Sequence, residues 1–388
     1  MKIPLFRIQC ILILSLSFNI MAQENLGAAD LSAEAVKINT WEVIRTGGKT
    51  LCSDGSDYKF YHQNGTSDNL IIFFSPGGAC WDDDSCEKSI FWQQPEKSNE
   101  GGIYYADALD LNYSTYQTGF FRKDNDQNPF KNWNKVFISY CSGDVHIGDA
   151  VQKYTNAIGE EKTIYHRGQE NSRAVLNWIG KNYQNPSKVL VSGESAGGHG
   201  AIYYLPDIVT MFPSSRIYQL SDGNALTTER FLEITAWWGV DAEENFGFKT
   251  SNNTMNDAYL YAIEKFKDNK NVVMLQQNTI RDDAMTGFQA STSRINRTDA
   301  ILARWQQDMT YATKELKKAS EPYGNYFYWI SNCHLDTETN TTPHCLEWND
   351  VFYTCEQGGL FFYQWLDRII NKDERLDVGA EFLPGELK

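Results

Sequence analysis

Ser195 sits in Gly193-Glu194-Ser195-Ala196-Gly197, with the apolar run Val189-Leu190-Val191 before it and Gly198-His199-Gly200 after it. A serine that attacks an acyl carbon must project its hydroxyl clear of the backbone. A sharp strand-to-helix turn does this only where the flanking positions carry no clashing side chain. Gly193 and Gly197 are those positions. The peptide N–H of Ala196, opening the following helix, would face the oxygen that turns negative as Ser195 attacks. With 28 glycines in the chain, Gly-x-Ser-x-Gly alone is a weak signal. Its placement between a β-branched strand and a helix-compatible segment makes Ser195 the candidate nucleophile.

A serine hydroxyl needs a histidine to take its proton and a carboxylate to fix that histidine's tautomer and stabilise its cation. In strand-turn-helix hydrolases the order is serine, acid, histidine. Three histidines follow Ser195 in the chain. His199 lies four residues on, along the presumed helix, and its ring is expected beside the pocket rather than at the nucleophile. His334 follows the aromatic strand Tyr326-Phe327-Tyr328-Trp329-Ile330 by a short turn and is the expected base. His344 lies beyond a Thr/Asn-rich stretch that reads as a loop tip. Asp282 and Asp283 follow Val272-Val273-Met274-Leu275 and are the candidate acids. Asp222, close after the elbow, is expected to shape the pocket floor. The turn Ser75-Pro76-Gly77-Gly78-Ala79-Cys80-Trp81 would supply further oxyanion donors from Gly78 and Ala79, with Trp81 on the pocket wall.

Short apolar runs at 69–74, 135–140, 188–191, 272–275 and 326–330 read as strands, and 171–183, 201–211, 257–267 and 298–319 as helices. This alternation predicts an α/β fold, a mostly parallel sheet with helices on both faces, and the elbow at Ser195 is the kind found in α/β-hydrolases. Its chemistry sits at the carboxyl ends of the strands, where each candidate residue falls.

Residues 1–22 combine Lys2 and Arg7, an apolar core over 11–20 and a small residue at Ala22, the pattern of a secretory signal peptide. Residues 23–388 then form one catalytic domain, secreted or periplasmic, with no further apolar segment long enough to span a bilayer. A net charge of −15 argues against nucleic acid as a partner. Eight cysteines, one of them Cys10 in the leader, leave an odd number in an oxidising compartment. One thiol is therefore expected unpaired, and Cys333, Cys345 and Cys355 cluster near the C-terminus. No Cys-x-x-Cys spacing supports a metal site there.

Leu51-Cys52-Ser53-Asp54-Gly55-Ser56, Gly77-Gly78-Ala79-Cys80-Trp81, Tyr140-Cys141-Ser142-Gly143-Asp144 and Gly193-Glu194-Ser195-Ala196-Gly197-Gly198 together resemble the pectin acetylesterase and Notum family of secreted serine carboxylesterases. The resemblance implies a cofactor-free ester hydrolase with Ser195 as nucleophile, Gly78, Ala79 and Ala196 as oxyanion hole, and His334 as base. It singles out Asp282 as the acid, because Asn278-Thr279-Ile280-Arg281-Asp282 is similar to the family's run there. It also implies disulfides Cys80–Cys86 and Cys52–Cys141. Ala79 stands where animal and plant members carry an aromatic residue, and Met285 where the family has glutamine.

The expected substrate is an acetyl ester on a polysaccharide such as pectin. A longer fatty acyl ester is the alternative, and a catalytically silent secreted binding protein of the same fold is a third reading.

Overall fold

The five apolar runs of the sequence become strands of one sheet, four of them inside it and the last, at 326–330, along its edge. The computed structural model describes residues 36–38, 41–86, 118–155, 158–225, 228–295 and 299–383. The expected leader at 1–22 lies outside them. Strands β1 (Val36–Ile38), β2 (Trp41–Arg45), β3 (Lys59–Gln63), β4 (Leu70–Phe74) and β5 (Asn134–Ile138) precede a separate hairpin, β6 (Ala150–Thr155) and β7 (Glu161–His166). Then follow β8 (Lys188–Glu194), β9 (Arg216–Asp222), β10 (Val272–Thr279) and β11 (Tyr326–Ser331). Among the described residues the main sheet has nine strands, in the order β1-β2-β3-β5-β4-β8-β9-β10-β11. From β5 to β11 every neighbouring pair is parallel, while β1, β2 and β3 form an antiparallel edge.

Alternate residues along each inner strand enter two different cores. Ile72 and Phe74 of β4, Val191 of β8 and Met274 of β10 pack on one face with the helix Gly168–Asn182 through Val175 and Ile179. Ile71, Phe73, Leu190 and Leu275 pack on the other face with the helix Phe362–Ile370 through Trp365, Leu366 and Ile369. Burial on both faces is why these strands read as continuous apolar runs rather than alternating ones. The observed fold is thus the expected α/β type. The expected helix over 201–211 is two helices, Ala196–Tyr203 and Leu205–Met211, the second opening next to Pro206, whose missing N–H suits a first turn. The long helix Asp299–Ser320 and the helix Thr254–Lys265 lie within two or three residues of their expected limits.

Cys80–Cys86 and Cys52–Cys141 are bonded, and Cys333–Cys355 forms a third disulfide that leaves Cys345, buried, as the free thiol among the described residues. No helix of the described residues is long and apolar enough to cross a membrane.

Candidate active site

Ser195 stands between the end of β8 and the helix Ala196–Tyr203 with φ 51° and ψ −120°, a conformation that a non-glycine residue adopts only under strain. The turn is tight enough that a Cβ on Gly193 would overlap the carbonyl oxygen of Gly197, and one on Gly197 would overlap that of Phe74 on the neighbouring strand. The backbone around Ser195 is fixed from the next strand. Its N–H donates to the Asp222 carbonyl at 2.8 Å, and Asn224 Nδ2 donates to its carbonyl. Ala196 begins the helix, so its N–H is among the first-turn donors with no intrahelical acceptor.

The glycine turn after β4 comes to the same place. Gly78 has φ 69° and lines the pocket at Ser195. Its carbonyl accepts the Tyr140 hydroxyl at 2.8 Å. Ala79 is fully buried and bridged to Asp144. The Cys80 N–H reaches the Gly143 carbonyl at 2.9 Å, while the Cys80 carbonyl accepts Trp238 Nε1–H at 2.7 Å. Together with the Cys80–Cys86 disulfide these contacts hold the turn in one shape.

Asp282 caps the helix Asp283–Thr292, accepting the Met285 N–H on Oδ1 at 2.7 Å. Its other oxygen, Oδ2, accepts from a histidine at 2.9 Å, and that histidine is His344. Asp282 is fully buried, whereas Asp283 is exposed. The expected base, His334, is elsewhere. It is exposed, in a left-handed turn at φ 52°, with Nε2 against the Thr354 hydroxyl at 3.1 Å. The stretch before His344 is not a free loop tip. Thr342 bridges to the acid's own turn, its N–H on the Arg281 carbonyl at 3.0 Å and its carbonyl accepting the Asp283 N–H at 3.2 Å. The Pro343 carbonyl accepts the Thr279 hydroxyl at 2.9 Å. These long-range bonds deliver His344 to Asp282, and nothing in the local sequence distinguishes it from His334.

Burial alone would lower the basicity of His344. The charge of Asp282 and its hydrogen bond, with the charges of Asp222 and Asp283, outweigh that and raise its pKa above 6.5. Asp282 occupies Nδ1, which leaves Nε2 as the ring atom able to take a proton. His344 also lies against the end of β9, since a Cβ on Gly223 would sit 3.2 Å from its Nδ1 and Cε1.

His199 lines the pocket that contains Ser195. Asn224 Nδ2 can only donate, so His199 Nδ1, 2.9 Å away, accepts. The ring stacks on Phe231 at 5.4 Å. Burial, with the nearby His146, lowers its pKa to about 3, so it is neutral at ordinary pH. Trp81 is on the wall of the same pocket, with Phe231, Trp238 and Phe288. Asp222 is not at the pocket floor. It is fully buried beneath the elbow, and its carboxylate faces the chain after His344.

A family model for pectinacetylesterase matches residues 32–235, more than half of the chain and inclusive of the glycine turn and the elbow. The chain belongs to the pectinacetylesterase family. Pectin acetylesterase 11 of Arabidopsis thaliana is 26% identical over 194 residues, 49% of this chain and 46% of the relative. Pectin acetylesterase 4 of the same plant is 27% identical over 192 residues, 47% of this chain and 42% of the relative. The palmitoleoyl-protein carboxylesterase Notum of Mus musculus is 25% identical over 178 residues, 44% of this chain and 33% of that protein. The chain thus spans less than half the length of these curated relatives. Asp282 and His344 lie beyond the family-model match, so their assignment rests on geometry.

Proposed function

We propose that the protein is a secreted serine carboxylesterase in which Ser195 attacks the ester carbonyl, His344 takes and returns the proton, and Asp282 holds the imidazole. The N–H groups of Ala196, Gly78 and Ala79 receive the oxyanion. The observation that carries this reading is the buried Asp282 Oδ2 accepting His344 Nδ1–H at 2.9 Å, with His344 packed against Gly223 and the adjoining Asp222 carbonyl accepting the N–H of Ser195. An isolated buried carboxylate is costly, and orienting a general base is the use that fits one here. Secretion is supported by the leader pattern at 1–22 and by three disulfides, bonds that persist in oxidising compartments.

The substrate we assign is an acetyl ester on a polysaccharide such as pectin. Trp81, Phe231, Trp238 and Phe288 crowd the pocket at Ser195, with Trp81 and Phe288 edge to face at 5.6 Å, which favours a small acyl group over a long chain. Trp237, on the helix that supplies Phe231 and Ile234 to the pocket, is 43% exposed, an arrangement suited to stacking on a sugar ring at the rim. The names of the Arabidopsis relatives favour the same class. The test is hydrolysis of p-nitrophenyl esters from acetyl through octanoyl to palmitoyl by the native protein and by Ser195→Ala. A rate highest for acetyl and lost in the variant is expected, followed by acetate release from acetylated pectin. A maximum at eight or more carbons would refute the acetyl assignment, and equal slow rates in both proteins would refute the esterase.

A further inference from the structure

We propose that Asp222 is a positioning residue that ties the nucleophile and the base to one buried anchor; the inference rests on the triad reading above. Its main chain and its side chain do different jobs. The Asp222 carbonyl accepts the Ser195 N–H at 2.8 Å. Its carboxylate Oδ2 accepts the N–H of Leu346 at 2.6 Å and of Glu347 at 2.9 Å. Those two residues come directly after His344-Cys345, and the Cys345 thiol also points at the Asp222 carbonyl, at 3.5 Å. Parallel pairing with β8 sets Asp222 opposite Glu194, the residue before the nucleophile. The elbow and the histidine segment, about 150 residues apart in the chain, therefore meet on a single residue, the first on its carbonyl and the second on its carboxylate.

The anchor is an electrostatic one. Glu194 at the end of β8 and Glu347 after His344 are fully buried with Asp222, and one oxygen of each lies within 4.8 Å of the others. Glu347 accepts the Ser192 hydroxyl at 2.5 and 2.7 Å, Glu194 faces the backbone N–H groups of Trp348 and Glu347, and Oδ1 of Asp222 has no hydrogen-bond partner. Three buried negative charges at this separation do not coexist, and burial raises all three carboxyl groups above their ordinary range. The charge the cluster keeps is best placed on Asp222, where two N–H groups and the His344 imidazolium favour it. The titratable groups facing His344 and Asp222 are then Asp282 and Asp283 after β10, Glu194 from β8, and Cys345 and Glu347 from the histidine segment. Charge on Asp222 thus makes His344 more basic through space, while its hydrogen bonds fix where His344 stands.

The two roles separate in two variants of the full-length protein, assayed on p-nitrophenyl acetate across pH 5 to 9. Asp222→Ala removes the acceptor of two N–H groups, and kcat is expected to fall by about a hundredfold with KM changed by less than about threefold, the signature of a base held slightly out of place. Asp222→Asn keeps an oxygen for those N–H groups but loses the charge, so the acidic limb of the kcat profile is expected to move to lower pH while the plateau changes by less than about tenfold. A purely structural role would leave the limb where it is. If Asp222→Ala does not fold, the limb in Asp222→Asn still decides. An unmoved limb, together with inactive His344→Ala, would overturn this inference alone; activity surviving in His344→Ala would overturn the triad reading as well.

Discussion

Replacing Asp282 by asparagine tests the site most directly, because the structure separates what the two carboxylate oxygens do. Oδ1 accepts the Met285 N–H and caps the helix Asp283–Thr292, and Oδ2 accepts His344 Nδ1–H. Asparagine keeps a carbonyl oxygen for Met285 and presents an NH₂ group to His344. An amide nitrogen can only donate, so the imidazole must offer Nδ1 as acceptor and carry its proton on Nε2. A histidine in that tautomer cannot take the proton of Ser195. The expected loss in kcat for p-nitrophenyl acetate is about ten-thousandfold, equivalent to about 5.4 kcal/mol of barrier. Because the cap is retained, thermal stability is expected to stay within about 0.5 kcal/mol of wild type. Asp282→Ala removes both contacts and should additionally destabilise by about 1 kcal/mol. Stopped-time hydrolysis at pH 8 and thermal unfolding followed by circular dichroism measure the two quantities. Asp282→Asn retaining more than about a tenth of wild-type kcat would refute the tautomer argument.

His344→Ala is expected to lower kcat by at least about a thousandfold and His334→Ala by less than threefold, which the same ester assay resolves; the reverse ranking would return the base to the exposed histidine. The raised pKa of His344 places the acidic limb of kcat/KM above pH 6.5, because the base works only after losing its proton; a limb below 6.5 in the native protein would contradict the pairing. Since the folded pKa is raised, the interaction stabilises the fold below the unfolded pKa and fades as pH rises through the folded one. His344→Gln should therefore cost more stability at pH 5.5 than at pH 8.5, measurable by urea denaturation at both. Cys52 and Cys141 are 89 residues apart, and removing their bond in Cys52→Ala/Cys141→Ala should cost about 4 to 5 kcal/mol on the chain-entropy account. A loss below about 1 kcal/mol in denaturant melts would mean the crosslink does not constrain the unfolded chain.

The inner strands were legible because their burial is two-sided. Leu70–Phe74 alternates between two cores, and a run apolar at every position has few other places to go. The antiparallel edge and the hairpin Ala150–Thr155 with Glu161–His166 were not read from sequence. Their strands mix polar and aromatic residues, as in Lys59–Gln63 and Glu161–His166, and what makes them strands is the pairing itself, local in the hairpin and across to β5 for Lys59–Gln63. β9 is absent from the expected strands, since Gln219, Ser221 and Asp222 are buried polar residues that interrupt the apolar pattern.

By itself the sequence determined the elbow, because the constraint on Ser195 is local. Strand, two Cβ-free positions and helix must follow one another within a dozen residues, and no distant contact can substitute for them. It likewise determined the glycine turn after β4 and placed an acid after β10, each a short-range consequence of where a parallel strand ends. Only the tertiary structure chose between His334 and His344. Both stand beside cysteines and both follow the last strand of the sheet. One is turned outward to Thr354, and the other is carried to Asp282 by hydrogen bonds from Thr342 and Pro343 to a turn some 60 residues earlier. The position of a base relative to its acid depends on how two loops pair across the sheet edge, and that pairing is a property of the folded chain.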